Sequence, residues 1–371
     1  MRFVRRGIAP LCLWIGLLPL SAGAQAPGAD DAIDQIRKLD EIRALDQERI
    51  KEWVQREVDS LAALSGGNGR GPLDASTFKA FVARFASQYT HARNTTPFRE
   101  QFAAQTAGVA AAEYAKADLA TTVAVSLARV LLDMNGVEVV SGQIAGLKAS
   151  GSTARLLSAS GLVQQRDVIR KEQSRLGAVI AALRAAGTVE SDSRVLGRVY
   201  EALAYGNQVQ PVLEAYLDIF DKRLAYRRGP AVVADGAELQ AYEFFRTRSV
   251  AAALNPSQKK ELVSRLAVFL RLDAERYNDS TLVPPGDPKV PDLGYYERDR
   301  LERMLDAVEE ILATLVGSSA AGGEIRKAFA SGGYGNRAVV LEQAYRWVGH
   351  PTTNESGALG AAPWNVPIGA P

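Results

Sequence analysis

Cysteine occurs once in the 371 residues, at Cys12, and histidine twice, at His91 and His350. Cys12 falls in the N-terminal leader described below. The rest of the chain therefore has no disulfide, no thiol chemistry and no zinc site built from Cys and His. A Ser–His–acid triad could draw only on His91, because His350 falls in a Pro/Gly-rich tail. No G-x-S-x-G nucleophile elbow accompanies it. No G-K-S/T phosphate loop is present, and GGNGRG (66–71) and GGYGN (332–336) read as flexible connectors rather than dinucleotide fingerprints. No cofactor and no metal site are expected.

An excess of one charge sign is also missing. Lys and Arg number 44 against 42 Asp and Glu, and a balanced surface gives no electrostatic footprint for nucleic acid. Long apolar runs are absent from the body of the chain. The greasiest stretch there, LATTVAVSLARVLLDM (119–134), runs uncharged only from Leu119 to Ala128, about half of the roughly 20 residues that a bilayer demands. On a helical projection Asp118, Thr122, Arg129 and Asp133 share a narrow strip, while Leu119, Val123, Leu127, Val130 and Met134 fall on another side. That pattern describes a core helix wetted along one edge, with Arg129 in reach of Asp133. A pore-forming protein that unfurls at a membrane is the alternative.

The N-terminus carries the strongest positive signal. Arg2, Arg5 and Arg6 precede an apolar run from Ile8 to Leu20 and then small residues, the layout of a secretory signal peptide. Ala22 and Ala24 fit the A-x-A cleavage pattern, so residues 1–24 read as a leader and Gln25 as the mature start. The leader removes three Arg and no acids, leaving 41 basic against 42 acidic residues. No stable membrane span is expected after cleavage. Arg outnumbers Lys 33 to 11, a bias of GC-rich bacterial genomes, so the expected location is the periplasm or beyond it.

The body reads as helix after helix: an all-α, soluble multi-helix bundle with long antiparallel helices. Residues 25–64 form an amphipathic N-terminal helix. Ile50, Trp53, Val54, Val58, Leu61 and Leu64 share one face, whereas Ile33, Ile36, Leu39, Ile42 and Leu45 step by three and rotate around the helix, which is not a strict coiled-coil heptad. This helix also offers a surface for oligomerisation. A main helical domain spans 75–280 and opens with Phe78, Phe81, Val82, Phe85 and Tyr89 at helical spacing. Thr96-Pro97 starts a helix that could run unbroken to Asn135-Gly136. Further helices are expected at about 152–186, 192–205, 211–228, 237–253, 256–279, 295–316 and 337–348. VEVV (137–140) is the sole strand candidate. A Pro-rich connector (281–294) leads to C-terminal helices (295–349) and a tail (350–371) that reads as disordered. Trp364 stands out in that tail as a possible partner-docking anchor.

Four patterns carry a chemical reading beside a structural one. Ser76-x-x-Lys79 and Ser257-x-x-Lys260 match a serine–lysine spacing, but both serines sit where helices begin. DDAID (30–34) has a magnesium-binding pattern, yet acids in a first helical turn also meet the macrodipole. The Arg/Lys clusters at 166–175 and 222–228 (KRLAYRR) could bind an anion, and solvated helix faces are the expectation. SGQIAG (141–146) has G-x-x-x-G spacing outside any apolar segment, which suits close helix packing or a mobile loop.

The poverty of nucleophiles and ligands leads to an exported, non-catalytic binding, scaffold or chaperone-like component of the cell envelope or secretion machinery, with a protein partner in the envelope. The alternative is an enzyme confined to Arg, Lys, Glu and Tyr chemistry, of mutase or glycan-cleaving type.

Overall fold

A computed structural model of the chain describes residues 29–66, 75–205, 209–228, 233–283, 293–317 and 323–367. Residues 1–28, which include the stretch expected as a leader, most of the GGNGRG connector and most of the Pro-rich connector lie outside these. The expected all-α class is observed: apart from a lone bridge between His350 and Glu355, no strand occurs among the described residues.

In chain order the helices are α1 (Ala29–Ile36), α2 (Ala44–Gly66), α3 (Ala75–Thr90), α4 (Thr96–Tyr114), α5 (Thr121–Asp133), α6 (Val140–Gly146), α7 (Ser152–Gln164), α8 (Arg166–Lys171) and α9 (Gln173–Gly187). They continue with α10 (Ser193–Leu203), α11 (Val209–Arg227), α12 (Leu239–Phe245), α13 (Arg248–Ala253), α14 (Pro256–Asn278), α15 (Leu293–Val316), α16 (Glu324–Gly332) and α17 (Arg337–Val348). Their contacts resolve into two layers. In one, α2, α4 and α6 follow one another, and α9, α11, α14 and α17 continue the row. In the other, α3, α5, α7, α10, α12 and α15 do the same, and sequence neighbours such as α4 and α5, α6 and α7, α9 and α10, and α14 and α15 also meet across the layers. This is a stack of helix pairs, an arrangement in which each unit is stabilised by its neighbours.

Local chemistry sets the boundaries. Thr95 caps α4 by accepting from the Phe98 N–H, with Pro97 in the first turn. Asn255 and Gln258 form a reciprocal capping box at α14. The cap there is Asn255 rather than Ser257.

Several expected elements differ. The N-terminal helix is broken at 37–43, where Thr95 N–H donates to the Arg37 carbonyl and Thr95 Oγ1 to the Leu39 carbonyl. Ile50, Trp53, Val54, Val58 and Leu61 are buried, so the face open to self-association is spent inside the chain; Leu64 is left exposed. The helix starting at Thr96 stops at Tyr114 and resumes at Thr121. VEVV forms a turn of 3-10 helix (Val137–Val139) leading into α6, and no second strand that could satisfy an extended backbone occurs among the described residues. The tail is packed: Leu359 and Val366 are buried, and Val366 N–H donates to the Leu359 carbonyl at 2.9 Å. Apolar burial against α17 supplies what its composition concealed.

The apolar stretch at 119–134 supplies a core helix. α5 buries Val123, Ala124, Ser126, Leu127, Ala128, Val130 and Leu131, while Arg129 and Asp133 stay exposed and pair at 2.8 Å. No described helix is long and apolar enough to cross a membrane. G-x-x-x-G serves close packing: a Cβ on Gly142 would lie 3.0 Å from the Ala107 backbone, and one on Gly146 would collide with Ser158.

The interior divides into two hydrophobic clusters. One gathers Ile33 to Ala154 around Trp53, Phe85, Phe98 and Phe102; the other runs from Val140 to Val366. They meet at α6 and α7, well inside the stretch expected as one main domain.

Candidate functional site

KRLAYRR is divided between solvent and core: Lys222, Tyr226 and Arg228 are exposed, as expected of a solvated face, whereas Arg223 and Arg227 turn inward. α11 places Arg223 and Arg227 one turn apart on its inner side, next to Phe220 and Leu224, and both guanidinium groups are buried. Arg223 Nε donates to Glu238 Oε1 at 2.6 Å and its Nη2 to Asp235 Oδ1 at 2.8 Å. Arg227 Nη2 donates to Asp273 Oδ1, and its Nη1 lies 3.9 Å from Glu238 Oε2. The result is a chain of ion pairs, Asp235–Arg223–Glu238–Arg227–Asp273, linking α11 to α12 and α14. Only Asp235 at its end is partly exposed. Tyr200 and Tyr242 border it, and their hydroxyls have no hydrogen-bond partner among the described residues, as is true of Arg227 Nη1, Glu238 Oε2 and Asp273 Oδ2.

The enclosed members, Arg223, Glu238, Arg227 and Asp273, balance in charge, with Asp235 reaching solvent at the end of the chain. Burial is nevertheless costly for Asp273: opposed by Arg227 and reinforced by Glu238, it pushes the carboxyl up to about 6. Burial also pushes Glu238 up, but Arg227 and Arg223 together outweigh it and hold it below the usual range. Because Asp273 is raised on folding, its stabilising contribution is fully present below about pH 4 and is lost as pH rises through about 6. Asp273→Asn removes the ionisable group but keeps an acceptor for Arg227. Relative to the native chain, this variant should gain on the order of 3 kcal/mol between about pH 4 and pH 8. Urea unfolding across that range checks it; a pH-independent difference would refute the protonation of Asp273.

The exposed end of the chain borders a polar cleft of about 330 Å³. Arg194, Arg198 and Arg300 line it, facing Glu201, Asp235 and Gln240. Most of its charge is already matched: Arg194 holds Asp192 at 2.9 Å, Arg198 holds Glu201, and Asp235 belongs to Arg223. The Arg300 methylenes lie 3.4 Å from where a Cβ on Gly236 would sit, a position whose φ of +74° suits glycine.

A second, larger cleft of about 590 Å³ has a different character. It opens between α6 and α9, at the seam of the two clusters. α6 is seven residues long and α9 fifteen, so α6 leaves part of its neighbour uncovered. Ile144 and Leu147 form one wall; Ala182, Ala185, Ala186 and Val189 form the other. The rim is fixed by Arg155, which grips Glu190 with two hydrogen bonds of 2.7 and 3.0 Å and donates Nη1 to the Ala149 and Ser150 carbonyls. Burial raises Glu190, but Arg155 and the Asp192 and Ser191 N–H groups outweigh it and keep this carboxylate ionised. Lys148 completes the lining and is exposed.

The residues singled out from sequence lie apart from both clefts. His91 Nδ1 accepts from Arg93 N–H, and His350 Nδ1 accepts from the Thr352 and Thr353 N–H groups, so each closes a local turn. Ser257 and Lys260 are exposed at the start of α14, and Ser76 and Lys79 at the start of α3. Within DDAID, Asp30 accepts from Trp53 Nε1 at 2.8 Å and pairs with Arg84. No group of three or more potential metal ligands occurs among the described residues. Trp364 is half-buried against the chain's own core, which takes up part of the surface a partner would use. In the other basic cluster, Arg166 donates to the Glu201 carbonyl and Arg175 to that of Val137, so two of its members tie down backbone.

Sequence reading passed over Glu238, Asp273 and the Arg155–Glu190 clamp. One signal was legible: Arg223 and Arg227 fall in register with Phe220 and Leu224, placing two charges on an apolar stripe. No family model, curated protein or solved structure matches this chain, and its functional reading rests on geometry.

Proposed function

We propose that this protein is an exported, non-catalytic binding component of the bacterial cell envelope, and that its ligand or partner occupies the cleft between α6 and α9. One observation carries this reading. The larger cleft is apolar-walled, and the shifted pair at its rim, Arg155 and Glu190, is committed to each other and to backbone, whereas the raised carboxyl of the ion-pair chain, Asp273, is enclosed in protein and does not line it. Binding sites are concave and mostly apolar, with a few fixed polar groups; a catalytic site would bring its shifted acids and bases to the cavity wall. Stacked helix pairs are suited to such work, because they present extended surfaces on a rigid frame.

Two measurements test it. Mass spectrometry of protein recovered from the periplasm should find Gln25 at the N-terminus; an intact Met1 would refute export. A photo-crosslinking residue at Val189, on the cleft mouth, should yield a defined adduct in cells, whereas the same residue at Leu45, exposed on α2, should not. Equal labelling from both positions, or none from Val189, would remove the cleft from function.

A further inference from the structure

The cleft's chemistry specifies its occupant, on the footing that it is a binding site as just proposed. We propose that it takes a free single-chain amphiphile with an anionic head, a long-chain carboxylate, with the alkyl chain along α9 and the head at Lys148.

The apolar floor follows one stripe of α9 and the turn after it: Ala182, Ala185, Ala186 and Val189. These positions recur every three or four residues, so they stack along the helix for about 10 Å. Three of the four are alanines, whose short side chains leave a trough, and Ile144 and Leu147 close its other side. No aromatic ring lines it, which suits a narrow flexible chain better than a flat ring system. The volume of about 590 Å³ falls within the ordinary range of small-molecule sites.

Charge at the mouth selects the head. Glu190 is the single carboxylate in the lining, and it is committed to Arg155 and to the Ser191 and Asp192 N–H groups. Arg155 in turn has spent its donors on Glu190 and on the Ala149 and Ser150 carbonyls. Lys148 has no acidic partner among the described residues, although 28 ion pairs form elsewhere among them. The uncommitted charge at the entrance is therefore positive, beside the exposed Ser191.

The test uses the purified mature chain and calorimetric titration below micelle-forming concentrations. Dodecanoate should bind at one site per chain. Each buried methylene removed should weaken it about fourfold, so octanoate, four methylenes shorter, should bind about 250-fold more weakly. Dodecyltrimethylammonium, with the same tail and the opposite charge, should bind about fivefold more weakly than dodecanoate, and Lys148→Glu should invert that preference. Ala186→Phe fills the trough and should abolish binding. Val189→Asp, at a position 83% exposed, leaves the fold intact by circular dichroism and should weaken dodecanoate at least fivefold.

Absence of dodecanoate binding overturns the proposal, as does binding that ignores both Ala186→Phe and Val189→Asp. An unchanged head preference in Lys148→Glu overturns the anionic head, and tighter binding of a lysophosphatidylglycerol than of dodecanoate overturns the free carboxylate. A protein adduct from Val189 in cells, with no dodecanoate binding in vitro, would refute this ligand class and leave the binding role standing.

Discussion

Arg227→Ala should lower the free energy of unfolding by about 3–5 kcal/mol at about pH 8, the range for breaking a buried ion pair by removing one partner. The loss comes less from the missing attraction than from what stays behind. Asp273 and Glu238 are both fully buried, and without Arg227 they face each other with only Arg223 to offset them. Near pH 5 the cost should shrink, because Asp273 is then protonated and needs no counter-charge. A double variant, Arg227→Met with Asp273→Leu, should recover most of the loss, since apolar replacement of a whole buried pair is often neutral or stabilising. Urea unfolding followed by circular dichroism measures all three. A cost below about 1 kcal/mol for Arg227→Ala, typical of an exposed pair, would show that water reaches this interior.

The second large effect concerns the other cluster. Trp53→Ala should cost about 3–5 kcal/mol. Its ring packs on Phe85 with centroids 5.2 Å apart and on Phe102 at 5.7 Å, the guanidinium of Arg84 lies 5.7 Å from it, and Nε1 donates to Asp30. Trp53→Phe keeps most of the ring contact and loses the hydrogen bond to a charged acceptor, a smaller cost of about 1.5–3 kcal/mol. If alanine and phenylalanine cost the same, the hydrogen bond rather than the packing would anchor α1 to α2. Because Trp53 belongs to the N-terminal cluster, Trp53→Ala should split the unfolding curve, with fluorescence of Trp347 in the other cluster reporting the later transition.

Much of the fold was legible because helices announce themselves by period. The α5 stripe, with Arg129 and Asp133 on its wet edge, needed only a helical projection, and the small residues of SGQIAG fitted their role at Ala107 and Ser158. Breaks inside long periodic stretches were harder to read. Lys116-Ala-Asp-Leu-Ala120 interrupts one helix without glycine or proline, and local propensity alone does not mark such a stop. α16 was missed because its small residues and flanking glycines resemble a linker. The tail was misread for a related reason: its composition is that of a disordered segment, and tertiary contact with α17 settles its state. The site was least legible. Pairing Arg223 and Arg227 with Glu238 and Asp273 joins residues up to 46 apart, and no local pattern encodes it. The clefts depend on what helices fail to cover, which one sequence does not display.

α7 turns Ala154 and Leu157 toward the N-terminal cluster and Ala159 and Leu162 toward the other, so it is a wall common to both. In a linear array the cooperativity of melting is limited by the weakest junction between neighbours. The junction between the two clusters lies beside the gap left by the seven-residue α6. Anything lodged in the gap stitches the two halves and favours the closed state by mass action. In Trp53→Ala, occupancy would then be read out as the merging of its two melting steps into one.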